Sequence, residues 1–139
     1  TEETPLKSLR SVQGSYYQWE QIPLAASFTL SLDGINLFAD APQRRLLLGA
    51  TTVKDCQHFL PDQQALSRLV QQLSEKIDFP LPPLERAEVK TGIRSVLKGR
   101  APWSGQLADG LFSTAGLYKN GWVSAFFEAK KLAELIHRA

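Results

Sequence analysis

Cysteine is nearly missing from these 139 residues: Cys56 stands alone, which excludes an internal disulfide framework and favours a reducing, cytoplasmic setting. Histidine is almost as scarce, with only His58 and His137. His58 lies beside Cys56 in "KDCQHF", but one such pair falls far short of a zinc ligand set, so no metal site is expected. A small buried or edge cysteine is the better reading of Cys56. No apolar run approaches the roughly 20 residues that span a bilayer. The opening "TEETPLKSLR" has no apolar stretch of the secretory kind, so no membrane partner is expected. The chain has no phosphate-binding P-loop, and the serine of "PWSGQ" lacks a Gly-x-Ser-x-Gly elbow. No pair of carboxylates has a context that marks it as acid and base. No catalytic residue is therefore assigned. Methionine is absent altogether, the initiator included. A chain that opens at Thr1 and turns strand-like almost at once is expected to be cut from something longer.

What is present is ordinary in amount and uneven in placement. At 139 residues one compact domain is expected, with no repeat, low-complexity tract or linker. The net charge of +2 is too small to announce a nucleic-acid binder. Through Leu84, seven basic residues face nine acidic ones; from Glu85 onward, nine face five. Arg94, Lys98 and Arg100 fall close together in that basic part, either as a solvated surface or as a face turned to an anion.

Periodicity predicts strands first. "LRSVQGSYYQWE" mixes aromatic and β-branched residues with polar ones. "AASFTLSL" alternates, Asp33-Gly34 makes a tight turn into "INLFAD", and "APQRR" turns again into "LLLGATT". The first fifty residues thus read as an antiparallel meander. The period then changes: Leu66, Leu69, Val70, Leu73 and Ile77 have helical spacing, with Asp62 as N-cap. "DFPLPPLE" ends that helix, because its prolines favour extended backbone. "RAEVKTGIRSVL" reads as a strand, "KGRAPWSGQLADG" as a loop, and "LFSTAG" as a short strand buried on both faces. A final helix carries Trp122, Phe126, Ala129, Ala133 and Ile136 on one stripe, which is expected to pack on the sheet. The fold class is α+β: a mixed, mainly antiparallel sheet with two packed helices.

The stretch "GLYKNGW" bears on function. It places two glycines, a lysine and an asparagine where the last helix begins. The first turn of a helix exposes unpaired N–H groups and a partial positive charge, and Lys119 adds a full one. That apparatus suits an anionic ring or carboxylate. Equally, Asn120 is an N-cap and Gly121 a permissive first residue; spacing alone leaves the two readings level. Arg94 is either a surface arginine at a strand end or a fork that holds a carboxylate in two places.

"GATT", "KTGIRSV" and "DGLFSTAGLYKNGWVSAFFEAKKLAELI" resemble, in order and rough spacing, the C-terminal half of the glycine oxidase and D-amino-acid oxidase superfamily of FAD-dependent enzymes. "GLYKNGW" resembles the family's "GHxRNG" turn, with Leu117 for the histidine and Lys119 for the arginine. "TGIRS" resembles "xGxRP", whose arginine commonly holds the substrate carboxylate; Ser95 replaces the proline. "SVQGSYY" and "LLLGATT" are similar to two further family strands.

The resemblance implies an enzyme that oxidises an amine or amino acid by hydride transfer to the flavin. It implies Arg94 and Lys119 at the substrate, and Gly116, Leu117, Tyr118, Asn120 and Gly121 at the cofactor. The "GxGxxG" turn that grips the FAD pyrophosphate is absent. The chain is therefore expected to be a substrate-binding domain plus the last flavin-facing segment. It would lack the N-terminal FAD-binding domain, would be inactive alone and would not retain FAD. The alternative is a complete non-catalytic α+β module that binds a ligand or partner.

Overall fold

The computed structural model describes residues 5–138. The chain falls into two compact units, Gln13–Ile93 and the pair Thr1–Val12 with Arg94–Ala139. Its strands form an antiparallel-rich α+β fold with two α-helices, as the sequence leads one to expect.

The larger sheet orders its strands β2 (Phe28–Leu32), β3 (Ile35–Asp40), β4 (Arg45–Gly49), β1 (Arg10–Trp19) and β5 (Val53–Lys54), with β6 (Glu88–Val96) also paired to β1. Asp33 and Gly34 both take positive φ (47° and 84°), the geometry of a two-residue hairpin whose twist matches its strands. Register then follows: Leu32 faces Ile35 and Leu30 faces Leu37, while Leu37 faces Leu48 on the next strand. The meander holds for β2, β3 and β4 only. β1 pairs with β4, placing Tyr17 opposite Leu48, instead of with the strand that follows it in sequence. Local alternation sets a strand's faces; it does not name its neighbour.

In the unit Gln13–Ile93, Ile35, Leu37, Ala39, Leu46 and Leu48 present one buried face, with Tyr17 and Trp19 beside them. Helix α1 (Gln63–Lys76) closes over this core through Leu66, Leu69 and Leu73. Asp62 caps it, its side chain accepting from the Ala65 N–H at 2.9 Å. The proline-rich segment after α1 packs Phe79 and Leu81 on the same core. The indole of Trp19 donates to the Pro83 carbonyl at 3.0 Å, so the buried ring keeps its one donor satisfied. Cys56 is buried, as the sequence suggests. Tyr17 and Trp19 both belong to the core.

The second unit departs from expectation three times. "KGRAPWSGQLADG" is not one loop. After a single 3-10 turn at Lys98–Arg100 it forms strand β7 (Trp103–Ala108), which pairs antiparallel with β8 (Leu111–Ala115) around Asp109-Gly110. Its glycines had suggested a loop, but Gly105 lies within the strand, under the Trp103 ring, where a Cβ has no room. Strand β8 is not buried on both faces: it belongs to a two-stranded hairpin, and Leu111 and Thr114 are exposed.

The third departure is the largest. Helix α2 (Gly121–Arg138) packs on both strands of that hairpin, but not by its apolar stripe. Trp122, Phe126, Ala129, Ala133 and Ile136 all face out. The inner side carries Gly121, Ser124, Ala125, Glu128 and Leu132, of which Glu128 is the buried one. Its carboxylate accepts from the Ser104 hydroxyl on β7 at 2.5 Å and from the Lys131 ammonium at 2.7 Å. Ser104 in turn bonds Thr114, its cross-strand partner, at 3.0 Å. A buried charge must be paired and hydrogen-bonded or it costs several kcal/mol. Rolling α2 to bury its aromatics would break the Ser104 bond, the one that joins helix to hairpin, and leave the Glu128 charge with Lys131 of its own helix alone.

The Lys131 and Ser104 hydrogen bonds hold the Glu128 carboxyl below its ordinary range, against the upward pull of burial. A depressed folded value means that Glu128 stabilises fully above the unfolded value, about 4.3, and loses that contribution as the pH falls through the folded one. Urea unfolding is expected to show stability falling below about pH 4.3 in the wild type. Glu128→Gln is expected to be less stable at pH 7 and to lose less on acidification; equal pH slopes would contradict the assignment.

Candidate functional site

The candidate site lies where β8 leads into α2. Gly116 follows the strand with φ 77°, a conformation that costs a side chain but not glycine. Its bare α-carbon faces Leu97: a Cβ there would stand 2.7 Å from Leu97 Cγ and Cδ1. The space a side chain would take at Gly116 is thus filled by Leu97, itself buried. Leu97 directly follows β6, whose residue Arg94 is three positions earlier. Seating Leu97 on Gly116 therefore fixes the end of β6 beside the turn.

Three of the sequence-assigned residues meet there. The Arg94 guanidinium carbon lies 5.7 Å from the centre of the Tyr118 ring, and the Lys119 ammonium lies 5.7 Å from the same ring. Both distances are within cation–π reach. Tyr118 takes φ 47° and opens a 3-10 turn, Tyr118–Asn120, closed by the Asn120 N–H donating to the Leu117 carbonyl at 3.1 Å. Asn120 thus supplies its backbone N–H to that turn. Gly121 continues directly into α2, and a Cβ there would meet only Leu117 Cβ, at 3.6 Å. Lys119 and Asn120 are exposed, while Arg94, Leu117, Tyr118 and Gly121 are partly so.

The electrostatics of this tip have one sign. Among the described residues neither Arg94 nor Lys119 joins an ion pair. The first N–H groups of the helical turn add partial positive charge in the same place. Two cations held over one ring, with backbone donors beside them, can bind an anion by charge-assisted hydrogen bonds. As a donor set they fit the acceptor-rich edge of a flavin or a carboxylate.

Elsewhere the structure offers less chemistry. Cys56 Sγ and His58 Nε2 stand 3.5 Å apart, and no group of three or more metal-ligating side chains occurs among the described residues. No helix there is long and apolar enough to cross a membrane. Sequence reasoning missed Leu97, whose only signal is its place one residue after a strand. It also missed the Ser104, Thr114 and Glu128 set; reading "WSGQLADGLFSTA" as a hairpin would have paired Ser104 with Thr114.

Gly116→Ala is expected to lower stability by about 1–3 kcal/mol, from positive φ and the Leu97 overlap together. Gly92→Ala, in open space within β6, is the control and is expected to stay within about 0.5 kcal/mol. Matching urea midpoints for the two variants would contradict the packing described.

No protein-family model and no curated protein sequence matches the chain. Among solved structures it is similar to glycine oxidase from Geobacillus kaustophilus, with TM-score 0.68 and 24% identity over 94% of this chain and 36% of that one. It is also similar to glycine oxidase from Bacillus cereus ATCC 14579, with TM-score 0.70 and 17% identity over 94% of this chain and 37% of that one. The chain thus spans little more than a third of the proteins it matches, and it has the fold of that part of them.

Proposed function

We propose that the chain is the substrate-side portion of an FAD-dependent oxidoreductase that acts on an amine or amino acid. The observation that carries this reading is the cationic tip. Arg94 and Lys119 converge on Tyr118 at the head of α2, in a fold that glycine oxidases share over 94% of this chain. Bound flavin would supply the hydride-accepting chemistry.

The residues of this chain bind and orient. Arg94 is the carboxylate anchor: a planar guanidinium takes both carboxylate oxygens, and the Tyr118 ring lies within cation–π reach of it. Pinning the carboxylate turns the α-carbon toward the acceptor, and an oriented reactant needs far less of an acid–base set. The backbone N–H groups of the turn from Leu117 to Gly121, apart from that of Asn120, which the Leu117 carbonyl takes, would hold the flavin's pyrimidine edge, where negative charge collects on reduction. Donors fixed in advance at developing charge lower the barrier without reorganising. Lys119 adds charge to either partner. The nucleotide-gripping part of such an enzyme is supplied outside these residues, so the chain alone is expected neither to oxidise substrate nor to hold FAD.

Two measurements test the reading. In the complete flavin-containing protein, Arg94→Ala is expected to raise KM for carboxylate-bearing amines at least tenfold and Arg94→Lys to raise it less; an unchanged KM removes Arg94 from the site. The purified 139-residue chain is expected to be colourless, and stoichiometric yellow flavin on it would contradict the division of labour.

A further inference from the structure

The two units divide the charge of the chain unequally. Gln13–Ile93 carries seven lysines and arginines against nine acidic residues. Among the described residues of the other unit, nine lysines and arginines stand against three acidic residues. Three of those nine, Lys7, Arg10 and Lys98, line one cavity of about 480 Å³. Ser8, Leu9, Val96 and Leu97 complete its described lining, which holds no carboxylate.

Both walls of this cavity are held by hydrogen bonds. On one, the Leu9 N–H donates to the Leu6 carbonyl at 3.0 Å and the Ser8 hydroxyl to the Pro5 carbonyl at 2.7 Å, which fixes the 3-10 turn Pro5–Ser8 ahead of β1. On the other, the Arg100 N–H donates to the Leu97 carbonyl at 2.9 Å and curls the chain just after β6. The Lys98 N–H reaches the Ser8 hydroxyl at 3.4 Å and ties the walls together. Leu97 roots its wall, since it is buried against Gly116.

The three cations are exposed, Leu9 is 43% exposed, Val96 is half-buried and Leu97 is buried. Charge therefore stands in the open, and apolar side chains run inward from it. Cations of one sign around a concavity focus positive potential into it. Lys7 and Arg10 each already have an interaction, but an ammonium has three donors and a guanidinium five, so a first partner leaves donors over.

We infer that this cavity binds a small organic phosphate, with the phosphate on Lys7, Arg10 and Lys98 and the carbon skeleton on Leu9 and Val96. A phosphate monoester carries close to two negative charges at pH 7 and three strong acceptor oxygens. It matches three cations better than the single charge of a carboxylate does. The Arg10 fork takes two of the oxygens, and the lysines take the third. The volume lies within the roughly 300–1,000 Å³ of small-molecule sites. The leucine and valine surface favours a ligand with an apolar body over inorganic phosphate. This inference is independent of the oxidoreductase reading, which uses Arg94, Lys119 and the turn ahead of α2; none of these lines the cavity.

Isothermal titration calorimetry of the 139-residue chain with phenyl phosphate, inorganic phosphate and phenol tests it. Phenyl phosphate is expected to bind one to one, at least tenfold more tightly than inorganic phosphate, and to weaken as salt rises. Phenol is expected to give no binding heat. Lys98→Glu is expected to weaken phenyl phosphate at least tenfold and to keep the wild-type urea midpoint, because the side chain is exposed. Lys130→Glu makes the same charge change on α2, outside the cavity, and is expected to weaken binding less than twofold. Equal weakening by the two variants would mean attraction to a basic surface at large and overturns the inference. Binding lost in Arg94→Ala but kept in Lys98→Glu would put the anion at the tip, which overturns it too. Phenol or inorganic phosphate binding as tightly as phenyl phosphate, or no binding of either phosphate, is equally fatal.

Discussion

The carboxylate of Glu128 decides what this molecule presents to its surroundings. It is buried against the β7–β8 hairpin and takes hydrogen bonds from Ser104 and Lys131. A charge in that position is tolerable only while both partners stay in place. Of these two bonds the one from Ser104 crosses from the hairpin to α2, and it holds the Glu128 side of the helix inward. A two-stranded hairpin gives marginal stability by itself, so β7 and β8 depend on the helix packed against them.

From that rotation follow two surfaces. The helix head points Lys119 toward the ring that also receives Arg94, and the helix flank turns Trp122, Phe126 and Phe127 to the outside. Leu97, seated against Gly116, completes the arrangement by fixing the end of β6 beside the turn. Each of these is a packing decision made by a residue with no chemistry of its own. The cations would otherwise be ordinary surface residues; placed together, without an ion-pair partner among the described residues, they give the tip one sign of charge.

Much of the fold was legible in the sequence because its local signals agree with its tertiary structure. Asp33-Gly34 marks a hairpin and forms one; Asp62 marks a helix start and caps it. Leu66, Leu69 and Leu73 mark a face and bury it. The failures share one cause: local pattern does not carry long-range partnership. Strand β1 passes over its neighbour in sequence to pair with β4. Gly105 looks like a loop residue until the Trp103 ring is placed over it. The apolar stripe of α2 has helical periodicity, but periodicity says which residues share a face and not what covers it. Of the candidate site, Arg94, Tyr118 and Lys119 were named from the sequence and meet in space. At Gly116, named with them, Leu97 takes the place that a side chain would need.

The central claim is that a cationic tip on this fold selects substrates by their carboxylate. Anaerobic mixing of the complete flavoprotein with matched amines tests it most directly, following the loss of oxidised-flavin absorbance. The account predicts that a small amino acid such as glycine bleaches the flavin at least a hundredfold faster than methylamine at equal concentration. Equal rates for the two would contradict it.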